Sequence, residues 1–467
     1  MRVYLTTLGC KLNQSESERL ARDFVAAGYQ IALDPRDADL CVVNTCTVTH
    51  EATRKSRQIT RRVLRANPQS VVVVTGCAAE IQPEEFRRIN GVELVVGNSG
   101  KERLVRLVQE LGIEQPEPVS ADVGIPALPG FQQPVPSSYT NARSRGSGFS
   151  QGKVLSHERG QAPLHVTATL TRAFVKIQDG CNNRCTFCII TLARGRERSR
   201  PIHEIVEEIN GLVQTGCQEV VLTGVHVGSY GHDLGTDLGQ LTKAILERTS
   251  LPRLRLSSVE PWDFPPSYLP LWENPRLCRH LHLPLQSGCD ETLRRMGRRY
   301  TVKDFCSLLE IARQAIPGVA ITTDVMVGFP GESEAEFADS LCTVEEIGFA
   351  RIHVFPYSPR PGTRAALMPG QVHPQVKQRR GRIMRDVARR SERAFQTDLL
   401  GKRLPVLWER RVRRDASGHQ VWSGLTDNYV RVTTECEANL ANRILPTKLI
   451  NVVNGSMYGV LSSDSPP

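Results

Sequence analysis

The 467-residue sequence contains no long hydrophobic run. A helix that crosses a bilayer needs about 20 consecutive apolar residues, and no segment approaches that length, so we expect no membrane-spanning helix. Hydrophobic residues make up 40% of the chain and charged residues 23%, which is the balance of ordinary globular domains. The composition therefore excludes a disordered chain, a collagen and a small disulfide-stapled domain.

We also expect no export signal. Residues 1–10 carry one charge, Arg2, and their apolar stretch is too short for such a signal. We therefore expect a cytoplasmic protein, in which thiols stay reduced. The thirteen cysteines then need a role other than disulfide bonding, and their odd number points the same way. Metal or iron–sulfur chemistry is the leading hypothesis.

Patterning predicts an α/β protein with three domains and one connector. Residues 1–112 alternate apolar strands with helical stretches, which indicates a parallel sheet covered on both faces. Residues 113–166 are rich in Pro, Gly and Ser and are predicted to be a linker. Residues 167–396 contain six further strands separated by helices, which favours a partial or complete α/β barrel. Residues 397–463 have the short strands and turns of a small β-barrel.

A first set of cysteines, Cys181, Cys185 and Cys188, has C-x3-C-x2-C spacing just after a predicted strand. Three thiolates in one loop can converge on a single metal centre. A four-iron cluster normally takes four thiolates, so three would leave one iron open to the amino and carboxylate groups of a ligand. The alternative is a zinc site that lacks its fourth ligand.

The run Cys181-Asn-Asn-Arg-Cys185-Thr-Phe-Cys188 resembles the signature of the radical S-adenosylmethionine (radical SAM) enzymes. The resemblance implies a 4Fe-4S cluster whose open iron binds SAM and cleaves it to a 5′-deoxyadenosyl radical. It also implies a partial (β/α)6 barrel with its ligand site at the carboxyl ends of the strands. The candidate SAM contacts beyond those ends are Thr223, Gly224, Glu260 and Gln286. Ordinary turn and strand-end roles are the alternative for each of them.

A second set of cysteines, Cys10, Cys46 and Cys77, is widely spaced, but each member lies just beyond a predicted strand. In a parallel sheet those strand ends fall on one edge, where such folds bind ligands. Three thiolates on one edge can carry a second cluster, again with an open iron. The alternative is that they are small buried residues, as cysteine often is.

Taken together, the two sets and several motifs resemble the methylthiotransferases, whose amino-terminal domain carries an auxiliary 4Fe-4S cluster. The motifs include Thr7-Leu-Gly-Cys10-Lys-Leu-Asn13-Gln14, Leu222-Thr-Gly-Val-His226 and Leu283-Pro-Leu-Gln286-Ser-Gly288. The resemblance spans nearly the whole chain except the linker. The first two motifs are most similar to the branch that acts on N6-threonylcarbamoyladenosine at position 37 of tRNA.

The family resemblance implies that a methylthio group replaces the hydrogen at adenine C2. That C–H bond is not acidic, so a side-chain base cannot activate it usefully, and we assign no catalytic acid or base. One SAM would methylate a sulfur held at the auxiliary cluster, and another would supply the radical. The implied partners are the tRNA anticodon stem-loop, a reductant protein and a sulfur source, and we expect a monomer.

The net charge of +10 is concentrated in two predicted helices, which indicates RNA binding. The basic residues are Arg54, Lys55, Arg57, Arg61, Arg62 and Arg65 in one, and Lys377, Arg379, Arg380, Arg382, Arg385, Arg389, Arg390 and Arg393 in the other. A solvated helix face is the alternative. The tail from about residue 397 resembles the RNA-binding TRAM domain. Its Tyr429 or Trp422 is a candidate for stacking on a base, or else belongs to the barrel core.

Two other functions compete with this reading. The same chemistry can act on isopentenyl-adenosine in tRNA or on an aspartate of a ribosomal protein. A non-catalytic iron–sulfur or zinc protein that binds RNA and senses redox state belongs to a different class. That class does not explain why both cysteine sets lack a fourth member.

Overall fold

The computed structural model describes residues 1–112, 171–414, 420–453 and 455–461. The predicted linker at 113–166 lies outside the described residues. Within the described ranges, the architecture is the predicted one: a parallel-sheet unit, an open six-stranded barrel and a small closed barrel. No helix in these ranges is long and apolar enough to cross a bilayer.

The amino-terminal unit is a five-stranded parallel sheet in the order β2-β1-β3-β4-β5. Its strands are β1 (Arg2–Thr7), β2 (Gln30–Ile31), β3 (Leu40–Thr45), β4 (Val71–Gly76) and β5 (Val92–Val96). Its helices are α1 (Lys11–Ala26), α2 (His50–Ala66), α3 (Cys77–Ile81), α4 (Pro83–Arg87) and α5 (Leu104–Glu110). Alternate residues of β4 enter different cores, Val73 one and Val72 the other, because helices cover both faces.

The six-stranded barrel is built from two three-stranded parallel sheets, β10-β9-β6 and β11-β12-β13. Bridges between Leu254 and Leu277 and between Ser258 and His282 connect the two sheets. The strands are β6 (Arg172–Lys176), β9 (Glu219–Thr223), β10 (Arg253–Leu256), β11 (His280–His282), β12 (Ala320–Val327) and β13 (Arg351–Pro356), with a small hairpin of β7 (Gln178–Asp179) and β8 (Arg198–Ser199). In the described chain β6 and β13 do not pair, so the barrel is open on that side.

Helices surround the barrel and complete one continuous apolar core. They are α6 (Ile190–Arg194), α7 (Ile202–Gln214), α8 (Leu238–Arg248), α9 (Asp290–Met296), α10 (Val302–Ala315), α11 (Glu334–Ile347) and α12 (Pro374–Thr397). Capping boxes fix the starts of α10, at Thr301, and α11, at Ser333.

The carboxyl-terminal unit is a closed barrel in the order β14-β15-β16-β18-β17. Its strands are β14 (Arg403–Arg414), β15 (Gln420–Thr426), β16 (Arg431–Glu435), β17 (Arg443–Val453) and β18 (Ser456–Leu461). Trp422 is buried in its core, and its indole N–H donates to the Cys436 carbonyl. Of the two readings for Trp422, the structure therefore favours barrel core over base stacking, because strand alternation turns this side chain inward.

The closed barrel caps the amino-terminal end of the open barrel. Arg255 in β10 donates to the Asp427 carbonyl at 2.8 Å, and Arg279, just before β11, pairs with the Asp427 carboxylate. Asn428 donates to the carbonyl of Gly318, just before β12. The carboxyl ends of the strands, where such barrels bind ligands, remain clear of this unit.

The amino-terminal unit covers the open side of the barrel. Helix α1 packs against the first strand, β6. Beyond the last strand, β13, Arg360 donates to Thr47 at 2.6 Å, and Ser358 accepts a hydrogen bond from the His50 backbone. The amino-terminal sheet therefore faces the interior of the barrel across the gap between β6 and β13.

Candidate active site

The structure brings Cys10, Cys46 and Cys77 together at one edge of the amino-terminal sheet. Cys10 precedes α1, Cys46 follows β3, and Cys77 is the first residue of α3. The strands that lead to them, β1, β3 and β4, are adjacent and parallel. Burial, reinforced by the charges of the Cys10 and Cys77 sulfurs, raises the pKa of Cys46 to about 12, so the three thiols lie within electrostatic reach of one another.

Two glycines allow the loops that carry Cys10, Cys46 and Cys77 to approach closely. Gly9 has φ +109°, and a Cβ there would lie 2.8 Å from the sulfur of Cys46. Gly76 has φ +99°, and a Cβ there would lie 2.4 Å from the carbonyl oxygen of Thr45. Only glycine fits both the backbone conformation and the available space. A side chain at either position would push apart the loops that carry the thiols.

A buried arginine connects this edge with the barrel. The Nε of Arg194 donates to the Cys77 sulfur at 3.3 Å, and its guanidinium also binds Glu16 at 2.7 Å and Asp179 at 3.0 Å. Asn98 donates to the carbonyl of the neighbouring residue Ala193 and lies 3.7 Å from the same sulfur. We call the sheet edge that carries Cys10, Cys46 and Cys77 the sulfur edge. The sequence gives no sign of the role of Arg194, because its partners on the sulfur edge stand more than a hundred positions away in the chain.

The other set, Cys181, Cys185 and Cys188, occupies the loop between β7 and α6 at the carboxyl end of the barrel. The backbone N–H of Asn183 donates to the Cys181 sulfur at 3.4 Å, and Arg298 donates to the Cys185 sulfur at 3.7 Å. Burial raises the pKa of Cys188 to about 12, so binding of iron there would displace a proton. Hydrogen bonds of this kind stabilise negative charge on sulfur.

The two sets have the donor chemistry of iron–sulfur ligands. All thirteen cysteines are free thiols, and each set offers three sulfurs with N–H donors pointing at them. For the zinc alternative, His226 is a candidate for the missing fourth ligand, since its ring lies close to the Cys181 sulfur and Glu197. Burial opposes a charge on His226, but hydrogen bonds to Asp263, Cys181 and Glu197 outweigh it and raise the pKa of His226 to about 11. Both ring nitrogens of His226 are thus held by carboxylates, one by Glu197 and the other by Asp263.

The predicted SAM contacts lie at the carboxyl ends of the strands. Thr223 ends β9 and Gly224 follows it. Glu260 lies beyond β10 and pairs with Arg298, the residue that also reaches the Cys185 sulfur. Gln286, beyond β11, has φ 65°, and its buried amide oxygen accepts no hydrogen bond from the described residues. These positions fit SAM contacts, and their assignment stays a prediction.

The interior of the barrel is polar below these strand ends. His282 hydrogen-bonds Thr322 at 2.9 Å and lies 3.4 Å from the Asp324 carboxylate. At the closed end, the ring of Tyr429 stacks on His280 with centroids 4.4 Å apart. Tyr429 therefore lies against a histidine of the barrel instead of presenting its face to solvent. His280 and His282 both hydrogen-bond Thr322, so they line one chamber inside the barrel together with Tyr429 of the small barrel.

Comparison with known proteins agrees with this geometry. Residues 175–341 match the Radical SAM superfamily, and residues 2–97 match a family described as Uncharacterized protein family UPF0004. The solved radical SAM methyltransferase TsrM from Kitasatospora setae shares the fold with a TM-score of 0.52 at 16% identity, over 78% of this chain and 74% of that one. Three thiols in one loop at the carboxyl end of an open parallel barrel thus define a radical SAM enzyme.

Relatives that match over nearly their whole length show which family of radical SAM enzymes the chain belongs to. The threonylcarbamoyladenosine tRNA methylthiotransferase MtaB of Bacillus subtilis is 35% identical over 95% of this chain and 92% of its own length. The Thermotoga maritima protein of the same name is 34% identical over 98% and 96%. The tRNA-2-methylthio-N(6)-dimethylallyladenosine synthase of Syntrophobacter fumaroxidans is 33% identical over 99% and 96%. The chain belongs to the radical SAM methylthiotransferase family, and its cofactors are two 4Fe-4S clusters and SAM.

Proposed function

We propose that this enzyme adds a methylthio group to C2 of N6-threonylcarbamoyladenosine at position 37 of tRNA. The observation that carries the proposal is the meeting of two three-thiol sets at the mouth of one barrel, joined through Arg194. The relatives named for threonylcarbamoyladenosine support the substrate. The polar chamber supports it further, because a dimethylallyl group would prefer apolar walls.

We assign Cys181, Cys185 and Cys188 to the cluster that binds SAM, and Cys10, Cys46 and Cys77 to the auxiliary cluster. When bound, these groups supply the hydrogen abstraction and the sulfur that no side chain can provide. The task of the protein is to hold both sites around one adenine and to exclude water. Arg194 contributes by holding Cys77 against the loop that follows Cys188.

The residues at the strand ends would hold SAM. We assign this role to Thr223, Gly224, Glu260 and Gln286. Glu260 is oriented by Arg298, which ties it to the Cys185 loop. The amide oxygen of Gln286 is buried and free to accept a hydrogen bond. A donor on SAM would satisfy it.

We also propose that the two basic helices contact RNA, but through only some of their basic residues. In α12, four of the basic residues already pair with carboxylates: Arg379, Arg380, Arg389 and Arg390. Three exposed residues of α12 and three of α2 form no ion pair with the described chain; they are Arg382, Arg385, Arg393, Arg61, Arg62 and Arg65. These six are the better candidates for phosphate contacts.

The remaining proposals concern the domains of the chain and the setting in which the enzyme works. We propose that the domains are residues 1–112, a linker at 113–166, the radical SAM core at 167–396 and a TRAM-like domain at 397–463. The enzyme would work as a cytoplasmic monomer on the anticodon stem-loop, where tRNA is available, with a separate reductant protein and sulfur source.

Nucleoside analysis of bulk tRNA by mass spectrometry tests the proposed reaction. In cells without the gene we expect 2-methylthio-N6-threonylcarbamoyladenosine to disappear and its parent nucleoside to accumulate, and a plasmid copy should restore both. Loss of the methylthio-dimethylallyl nucleoside instead would show that the enzyme carries out the same reaction on dimethylallyladenosine. No change in either, in a host that makes both and carries no second such enzyme, would contradict the proposal.

A further inference from the structure

The chamber inside the barrel is enclosed by protein but accessible to water. His353 keeps surface that water can reach. The protein around its ring nevertheless replaces much of the bulk solvent, and this desolvation lowers the pKa of His353 to about 4. The Asp324 side chain keeps 30% of its surface. Cys10 of the sulfur edge is also exposed. A space that admits water between polar walls can admit a polar group of the substrate.

Lys11 is a cation of the amino-terminal unit that reaches this chamber. Its ammonium lies 5.5 Å from the centre of the Tyr429 ring, and its charge acts on Asp324 and His353. It forms no hydrogen bond or ion pair with the described chain. The enclosed lysine Lys101, by contrast, pairs with Glu16. A half-buried ammonium without a carboxylate partner is a site for an anion.

The position of Lys11 matches the shape of the modified base. Lys11 follows Cys10 directly, and its side chain extends from the sulfur edge toward Tyr429 at the closed end of the barrel. In adenine, C2 and C6 are the two neighbours of N1, so the substituents on these carbons diverge from each other. When C2 faces the sulfurs, the N6 substituent can therefore extend away from them along the side chain of Lys11 into the chamber. The threonylcarbamoyl group ends there in a carboxylate.

We propose that Lys11 is a specificity-determining residue whose ammonium binds the carboxylate of the threonylcarbamoyl group. This inference rests on the proposed function. Buried and unpartnered on its Nδ1, His280 offers a further polar contact at the same end of the chamber. A dimethylallyl group carries neither charge nor hydroxyl, so it would leave Lys11 uncompensated and be rejected.

Binding to matched RNA stem-loops tests this assignment. The probes are one anticodon stem-loop with threonylcarbamoyladenosine, the same stem-loop with its neutral methyl ester, and the unmodified stem-loop. The reconstituted full-length enzyme should bind the carboxylate probe about tenfold to a hundredfold more tightly than the ester. Lys11→Met should remove that difference and leave the affinity for the unmodified stem-loop unchanged. Lys11→Arg should retain most of it.

Controls separate binding from folding. Lys243→Met, on the exposed face of α8, should keep the full carboxylate preference. Iron content and SAM cleavage show whether Lys11→Met retains both clusters. Lys11→Gln, which keeps a polar side chain without the charge, replaces it if iron is lost. A variant with full iron that still prefers the carboxylate would overturn the role of Lys11. A wild-type enzyme that forms no methylthio product on the threonylcarbamoyl probe would overturn the proposed function instead.

Discussion

At the scale of the residue, buried charges connect the amino-terminal unit to the barrel. Arg194 lies between Glu16 of α1 and Asp179 of β7, and Lys101 and Lys176 complete the group. The attraction of Lys101 and Arg194 outweighs burial and holds the pKa of Glu16 far below its usual range. Glu16 therefore neutralises the barrel residues Arg194 and Lys176 only when the two units are together. Removing one member leaves the others uncompensated.

Replacing Arg194 tests this dependence. We expect Arg194→Met to cost about 3 kcal/mol of stability, because it removes the guanidinium group that binds both Glu16 and Asp179 and leaves them with only the lysines. Iron per chain should fall toward half as the Cys77 site loses its donor. Arg194→Lys should restore part of both. Thermal unfolding and iron analysis measure the effects, and Arg106→Met, an exposed residue paired with Glu110, is the control. Full iron and an unchanged Tm would contradict the role of Arg194.

The buried carboxyl Glu18 gives a prediction about pH. Glu18 lies in α1 against the backbone N–H of Phe174 in β6, and burial raises its pKa from 4.5 to about 7. Between pH 4.5 and 7 the unfolded chain releases this proton while the folded chain keeps it, so stability falls as pH rises through that window. We expect Glu18→Gln to gain about 3 kcal/mol at pH 8 and nothing at pH 4.5.

Thermal unfolding at the two pH values measures this difference. Glu247→Gln, on the exposed end of α8, is the matched control and should leave the Tm unchanged. An equal effect of Glu18→Gln at both pH values would show that Glu18 does not titrate in this window.

At the scale of the element, strands were predictable and helix faces were not. The apolar runs that predict β3 and β4 are buried because helices cover both faces of their sheet. Those that predict β9 and β12 are buried because helices surround the barrel. The basic run of α12 was predicted as one RNA-binding face. In the structure, Arg380 instead pairs with Glu332, just before α11, and Arg390 pairs with Glu345, within α11. Sequence spacing places residues on a helix but does not show which neighbouring element supplies their partners.

Helix α2 tests the RNA-binding role most simply. Its inner face is formed by small residues such as Thr53, Ser56 and Thr60, which leaves Arg61, Arg62 and Arg65 exposed on its outer face. We expect the triple change of Arg61, Arg62 and Arg65 to Gln to weaken tRNA binding and to reduce the slope of log affinity against log salt by up to about 3.

The matched control is the double change of Arg389 and Arg390 to Gln, since both residues already pair with carboxylates. It should alter the salt slope less for each charge removed. Equal losses per charge in the two helices would show that α2 has no special contact with tRNA.

At the scale of the whole molecule, the sequence predicted the three folded units but not their arrangement. The contacts that seat the small barrel join residues such as Arg255 and Asp427, which are 172 positions apart. Those that seat the amino-terminal unit include Arg360 with Thr47, 313 positions apart. No local pattern encodes such pairs. This arrangement allows the two cysteine sets to act on one substrate, because it places the edge with Cys10, Cys46 and Cys77 at the mouth of the barrel, where the other set lies.

The most direct test of the account compares two triple variants on a threonylcarbamoyladenosine stem-loop under anaerobic reduction. Changing Cys10, Cys46 and Cys77 to Ala should remove about half of the iron, spare SAM cleavage to 5′-deoxyadenosine and abolish the methylthio product. Changing Cys181, Cys185 and Cys188 should remove the other half and abolish both products. A first variant that keeps its full iron or still forms the methylthio nucleoside would contradict the assignment of the auxiliary site.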